Sequence, residues 1–255
     1  MSWYDASYIK QIWVAVDGST TAAGTVDVEI DLTSDDADFW ATIQADGDDV
    51  RASDASGLNG IDYDLESLNY AGQTVNVELD AVTHHVTNTI TLVRLFFGYA
   101  AAANAEDGIV PASALTGYTL NVGPEPGETI YGLGSRPGDP VPAQTAQKRS
   151  TETAYLWFQI GPLGRRSAPY QGRLRGEEPQ ALSASTALLT VGGSGSLTAA
   201  TSSIRVIELE GGAILARLTV SGGVTGNDYQ VTLRCVTSAG RILEGTVRVT
   251  VADPA

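Results

Sequence analysis

The residues of this chain whose types and spacing could do chemistry are carboxylates. Seven aspartates, Asp35, Asp36, Asp38, Asp46, Asp48, Asp49 and Asp54, crowd around Phe39 and Trp40 in "SDDADFWATIQADGDDVRASDASG". Several such oxygens suit a hard cation such as calcium, and two close carboxylates can cleave a glycosidic bond. Asp46, Asp48, Asp49 and Asp54 are the candidate calcium ligands, yet their spacing is not that of an EF-hand loop and no Glu follows at the required place. The reading that fits better is local structure. Ser34 suits a helix N-cap, Asp35 and Asp36 fall in the first turn, Phe39, Trp40 and Ile43 share a face at helical spacing, and Gly47 stops the helix. The first aspartates then start a short helix that closes one end of a sandwich, and the later ones fall in a turn and on the edge of the next strand. A glycosidase would need one carboxyl in an apolar setting that raises its pKa, and these aspartates read as surface residues.

Other catalytic constellations are missing. His84 and His85 are the only histidines, and neighbours on a strand point to opposite faces, which spoils a shared metal or a proton relay. "GLGSRPGD" is rich in glycine but lacks the Lys-Ser/Thr and the helix of a phosphate loop, and no Gly-x-Ser-x-Gly elbow or dinucleotide fingerprint occurs. The single cysteine, Cys235, rules out an internal disulfide and a cysteine metal cluster. We therefore expect no catalytic residues, no resident metal and no cofactor.

The elements that position these residues read as strands. In "VDVEIDL" Val26, Val28, Ile30 and Leu32 fall on one face and Asp27, Glu29 and Asp31 on the other, the period of a half-buried strand. "VNVELDAV" repeats the pattern with Val75, Val77 and Leu79, and "TITLVRLFFGYA" has the content of a central strand. Near the end, Tyr229, Val231, Leu233 and Cys235 alternate, as do Val247, Val249 and Val251, with "TSAGR" as the turn of a hairpin. "IRVIELEGGAILARLTVSGG" reads as strand, Gly-Gly turn and return strand. With 255 residues, 43% hydrophobic, 18% charged and 28 Gly, the composition favours an all-β fold.

Charge divides the chain. Residues 1 to 110 carry 19 acidic and 3 basic side chains, residues 111 to 180 carry 6 and 7, and the rest carry 5 and 5. So acidic a first part repels nucleic acid phosphates. No apolar run reaches the roughly 20 residues of a membrane helix, and "MSWYDASYIK" lacks the basic start and apolar stretch of a signal peptide. The middle holds the basic cluster Lys148, Arg149, Arg165, Arg166, Arg173 and Arg175 among prolines, which reads as an extended connector or docking arm. Within it "TAYLWFQIGPLGRR" sets Tyr155, Trp157 and Phe158 beside Arg165 and Arg166, the types enriched at protein interfaces. These aromatics, with Arg165, Arg166, Arg173 and Arg175, are the interface candidates, for an arm lying on a neighbouring copy. The competing reading is a buried strand. The expected organisation is an acidic sandwich over 1–134, a connector over 135–181 and a second sandwich over 182–255.

Two resemblances sharpen this. "SWYDASYIKQIWVAVDG", "DFWATIQADGDDVRASDASG", "IDYDLESLNY" and "TLVRLFFGYAAAANAEDG", over about residues 2 to 108, resemble an uncharacterised concanavalin-like domain of unknown function from phage and bacterial surface proteins. That implies a concanavalin or jelly-roll-like β-sandwich; many such sandwiches bind glycans, but the family brings no established ligand onto numbered residues, and Trp3, Tyr4 and Tyr63 are candidates for a host glycan as aromatics that could line a groove. "GNDYQVTLRCVTSAGRILEGTVRVTV" resembles the closing hairpin of the immunoglobulin-like module of phage fibre-tail adaptor proteins. The resemblance implies a non-enzymatic virion protein, assembled in the host cytoplasm, contacting other virion proteins as a homo-oligomeric tail, fibre or neck adaptor. Capsid decoration and glycan-binding host attachment are the alternatives.

Overall fold

Alternating apolar and acidic residues make the strand Gly24–Leu32, and its burial shows what the alternation does: Val28, Ile30 and Leu32 are buried while Glu29 and Asp31 stay exposed. This strand belongs to a computed structural model that describes residues 7–84, 88–103, 114–133, 144–161, 178–210 and 212–253. Over those residues the chain is an all-β sandwich protein. It divides into two compact units, Met1–Gly123 with Arg205–Glu208, and Pro124–Ile204 with Leu209–Ala255. These limits differ from the expected boundaries after residues 134 and 181.

The first unit contains β1 (Lys10–Asp17), β2 (Gly24–Leu32), the helix α1 (Ala37–Trp40), β3 (Arg51–Asp54), β4 (Gly60–Ile61), β5 (Tyr63–Asn69), β6 (Thr74–His84), β7 (Ile90–Phe97) and β8 (Ala114–Tyr118). The order β7-β1-β8-β2-β6-β5 forms a sheet, and β3 adds to β7 and carries β4. Neighbours are antiparallel except β8 and β2, which are parallel. Val14, Val28, Ile30, Val77, Leu79, Leu95, Phe97 and others form one core, with Phe39, Trp40 and Ile43 packed into it. A one-residue bulge interrupts β2 against β6 between Val26 and Val28. It places Ala81 at φ +53°, and the Asp27 carboxylate accepts the Ala81 N–H at 3.2 Å.

The helix is shorter than its residue spacing predicts. α1 spans four residues, its N-cap position is Asp36 and not Ser34, and no side chain caps it. The apolar triplet nonetheless ends up inside: Phe39, Trp40 and Ile43 are all buried. What stops the helix is a set of turns through Val50, including Gly47 at φ +79°.

The second unit holds β9 (Ile130–Gly132), β10 (Gln144–Lys148), β11 (Ala154–Gly161), β12 (Pro179–Leu188), β13 (Leu197–Thr198), a 3-10 turn (Thr201–Ser203), β15 (Ile214–Gly222), β16 (Asp228–Thr237) and β17 (Ile242–Val251); β14 (Arg205–Glu208) is grouped with the first unit. Two sheets result, β10-β17-β16-β12 and β13-β15-β11-β9. The predicted hairpin is present as β16 and β17, antiparallel from Asp228↔Thr250 to Val236↔Ile242. Its inward row, Tyr229, Val231, Leu233, Cys235, Val247, Val249 and Val251, is buried, as are Leu156, Phe158 and Ile160 of β11. Gly245 lets the layers close: a Cβ there would lie 2.9 Å from the Gly132 carbonyl oxygen and 3.0 Å from Phe158.

Where it is described, the expected connector is therefore mostly sheet. β10 pairs in parallel with β17 and β11 pairs antiparallel with β15, so residues 144–148 and 154–161 are integral strands of the second unit. Arg165, Arg166, Arg173 and Arg175 lie outside the described residues. Among those described, no helix is long and apolar enough to cross a membrane.

Candidate functional site

The aspartates that opened the question serve as ties between loops. Asp49 is fully buried and accepts the Gln44 N–H at 2.8 Å and the Gly98 N–H at 2.7 Å, one on each oxygen. Asp36 is also buried; it accepts the Thr33 N–H, the Thr119 hydroxyl and the Asn121 amide, each at 2.9 Å. These two correct the expectation of surface aspartates: a carboxylate taking two or three N–H or O–H donors is how a buried charge is accommodated. Asp54 accepts from Ser56 and Asn59 within its own turn, which holds its pKa below the ordinary value despite the opposing effect of burial. Asp46 accepts the Asp48 N–H at 3.3 Å. Three of the calcium candidates, Asp46, Asp49 and Asp54, thus accept from nearby donors, and no metal-holding group of three carboxylates, histidines or cysteines occurs among the described residues.

The glycan candidates fare differently. Trp3 and Tyr4 lie outside the described residues. Tyr63 is buried, its hydroxyl donating to the Val50 carbonyl at 2.6 Å and accepting from Arg51 at 3.0 Å, so it presents no ring to a sugar. His84 ends β6 and His85 lies outside the described residues.

A carboxylate cluster that was not singled out from the sequence stands on the water-facing side of β2, β6 and β5. The register sets Glu78 directly opposite Glu29 and Asp64, and Asn76 opposite Asp31 and Glu66. Asn76 donates to Glu29 at 2.5 Å and to Asp31 at 3.3 Å. Glu78 Oε2 is buried without a protein hydrogen-bond partner. Burial, then the charges of Glu66, Glu29 and Asp64, raise the Glu78 pKa. The signal was present in the alternation; what the sequence could not give was the register that brings three acidic rows side by side.

Of the aromatic interface candidates, Trp157 and Phe158 are buried, which corrects that reading for both. Phe158 faces the interior of the sandwich, and Trp157 donates its indole N–H to Glu128 at 2.9 Å. Tyr155 remains 48% exposed. The Arg217 guanidinium sits 4.6 Å from the Tyr155 ring and 5.9 Å from Trp157, so the water-facing side of β11 and β15 offers a stacked arginine, an exposed tyrosine and the exposed Ile130 of β9. A second apolar surface was missed. Leu188, Leu189, Val191 and Val224 are exposed, Val191 completely, at one tip of the second unit. Bonds hold that tip in shape: the Asp228 N–H to Thr190 Oγ1 at 2.7 Å, Asn227 Nδ2 to Ser194 O at 2.8 Å, and the Val224 N–H to Tyr229 Oη at 3.0 Å. No charged residue occurs in "TALLTVGGSGSLT".

These features define a class: an all-β protein whose second unit carries an exposed aliphatic tip and an exposed tyrosine beside a stacked arginine. Residues 170–250 match the family described as Podophage GP4 fiber-tail adaptor protein gp77. The match spans the strands from β12 to β17, apolar tip included. No curated protein matches the chain.

Proposed function

We propose that the protein is a non-enzymatic structural component of a tailed-phage virion, an adaptor that assembles with other virion proteins through its second unit. The observation that carries this reading is the match of residues 170–250 to the fibre-tail adaptor family. The rigid apolar tip within the matched segment supports it, because contiguous exposed aliphatic side chains mark protein contacts. Burying the fully exposed Val191 in a partner supplies about 1.5–3 kcal/mol and burying the remainder of Leu189, 43% exposed, roughly half of that, and a charge placed there removes that gain. In this reading the acidic first unit makes no part of the contact.

The test is complementation of particles lacking the chain with wild type or with a Leu189→Asp/Val191→Asp variant. The variant should fold with an unchanged melting transition yet be missing from purified particles, and labelled wild-type chain should map to a few copies on the tail or neck. Copies at every capsomer would sink the adaptor reading in favour of capsid decoration, and normal incorporation of the variant would remove the tip from it.

A further inference from the structure

Lys148 closes β10 with its side chain only 3% exposed. Its ammonium donates to the Arg149 carbonyl at 2.6 Å and the Gly222 carbonyl at 2.7 Å. An ammonium carries three donors, so two are used and one is left. Among the described residues Lys148 takes part in no ion pair. The acids nearby hold other donors: Glu128 accepts the Trp157 indole and the Glu125 N–H, both on Oε2, Glu152 the Arg149 N–H on Oε2, and Asp253 Ser150 and Thr225. A buried ammonium with only neutral acceptors carries a large desolvation cost, which a counter-charge would offset.

The space for one is present. Lys148 lines a cavity of about 290 Å³ within the second unit, whose wall also includes Thr129, Tyr131, Thr145, Gln147 and Tyr155. The Tyr131 hydroxyl is held toward the Thr145 carbonyl at 3.3 Å. The Thr and Gln side chains can donate to an anion, and Tyr155 at the wall belongs to the exposed aromatic side of β11. Glu128 also lines the cavity, and its fixed charge limits the ligand to a small, singly charged anion placed against the lysine.

We propose that this cavity is a carboxylate site in which Lys148 supplies the charge. The carboxylate comes from an acidic side chain of a partner protein or from a small free acid. This lies beyond the adaptor reading and stands independently of the apolar tip.

The experiment is titration of the full-length protein with sodium acetate against sodium chloride at equal ionic strength, followed by amide shifts of Thr129, Gln147 and Lys148. Acetate should give saturable shifts at these positions, and acetamide, its neutral analogue, should give none in the same range. A blocked tripeptide with a central glutamate is the second probe: tighter binding than acetate assigns a partner's side chain, weaker binding a free acid. Lys148→Met should weaken acetate by about tenfold or more, given that charge-assisted hydrogen bonds are roughly twice as strong as neutral ones. If that variant fails to fold, the acetate and acetamide arms decide on the wild type. Equal responses to the two, no saturable response to either carboxylate, or undiminished acetate binding in a folded Lys148→Met variant would overturn the proposal.

Discussion

Replacing Glu78 by Gln should stabilise the first unit at neutral pH, and the gain should vanish in acid. Glu78 stands between Glu29 and Asp64 on paired strands, with its Oε2 unpartnered. Like charges directly opposite across strands cost about 0.2–1 kcal/mol per pair. Two such pairs on a water-facing, salt-screened surface set the expected gain at about 0.5–1 kcal/mol. The sign of the pH dependence follows from the raised pKa, whose first cause is burial and whose further causes are the neighbouring carboxylates. A carboxyl whose pKa is higher folded than unfolded binds more protons in the native state between the two values, so stability falls as pH rises through that window. Well below the ordinary value of 4.5 both states hold the proton and the penalty is gone. The assay is urea-dependent hydrogen exchange at Val77 and Leu79, which reports the first unit alone, for both proteins at about pH 7 and about pH 3. A variant no more stable than wild type at the higher pH, or a gain that persists undiminished at the lower, would refute the reasoning.

Two further outcomes follow. Cys235 is fully buried and burial pushes its thiol pKa up to about 12, so a thiol reagent should label the native protein only as fast as the second unit opens; rapid stoichiometric labelling without denaturant would contradict the packing. Gly245→Val should destabilise the second unit by about 1–3 kcal/mol and so lower its denaturation midpoint, because a Cβ there would meet Leu133 at 2.6 Å and the Gly132 carbonyl oxygen at 2.9 Å. Fluorescence of Trp157 during urea unfolding reads it, and an unshifted midpoint would mean that the sheets are farther apart than described.

The strands were legible wherever one face meets water. β2, β6, β16 and β17 alternate with period two, and their inward residues are buried apart from Val26, which is partly so. The helix was overread because Phe39, Trp40 and Ile43 carry a helical spacing, but a helix that ran on would pull Asp49 away from the N–H groups of Gln44 and Gly98. The second of those donors is 49 residues away in sequence, and no local pattern reveals it. Asp36 has the same problem with Thr119 and Asn121. The segment 135–181 misled by its Pro and Arg content. β10 and β11 find their partners in β17 and β15, far along the chain, so their composition said little about their pairing. Gly245 did leave a trace: a glycine inside an alternating apolar strand marks a close approach of backbones.

How the edges are treated bears on how such a chain would assemble. An exposed strand edge invites another chain to add a strand, and proteins block this with charge, bulges or side-chain cover. β5, at one end of the first unit's sheet, carries Asp64 and Glu66 and then breaks register after Glu66, with Ser67 at φ +56°. β10, at the edge of its sheet, has the Gln144 amide paired with the N–H and carbonyl of Gly132, at 2.9 and 3.2 Å, and its Thr145 carbonyl taken by Tyr131. Both edges resist backbone addition. Contact through side chains is then the cheaper route for a partner, and the second unit offers it twice, at the uncharged aliphatic tip and at the Tyr155–Arg217 stack. The tip and Arg217 lie in the matched segment and Tyr155 outside it.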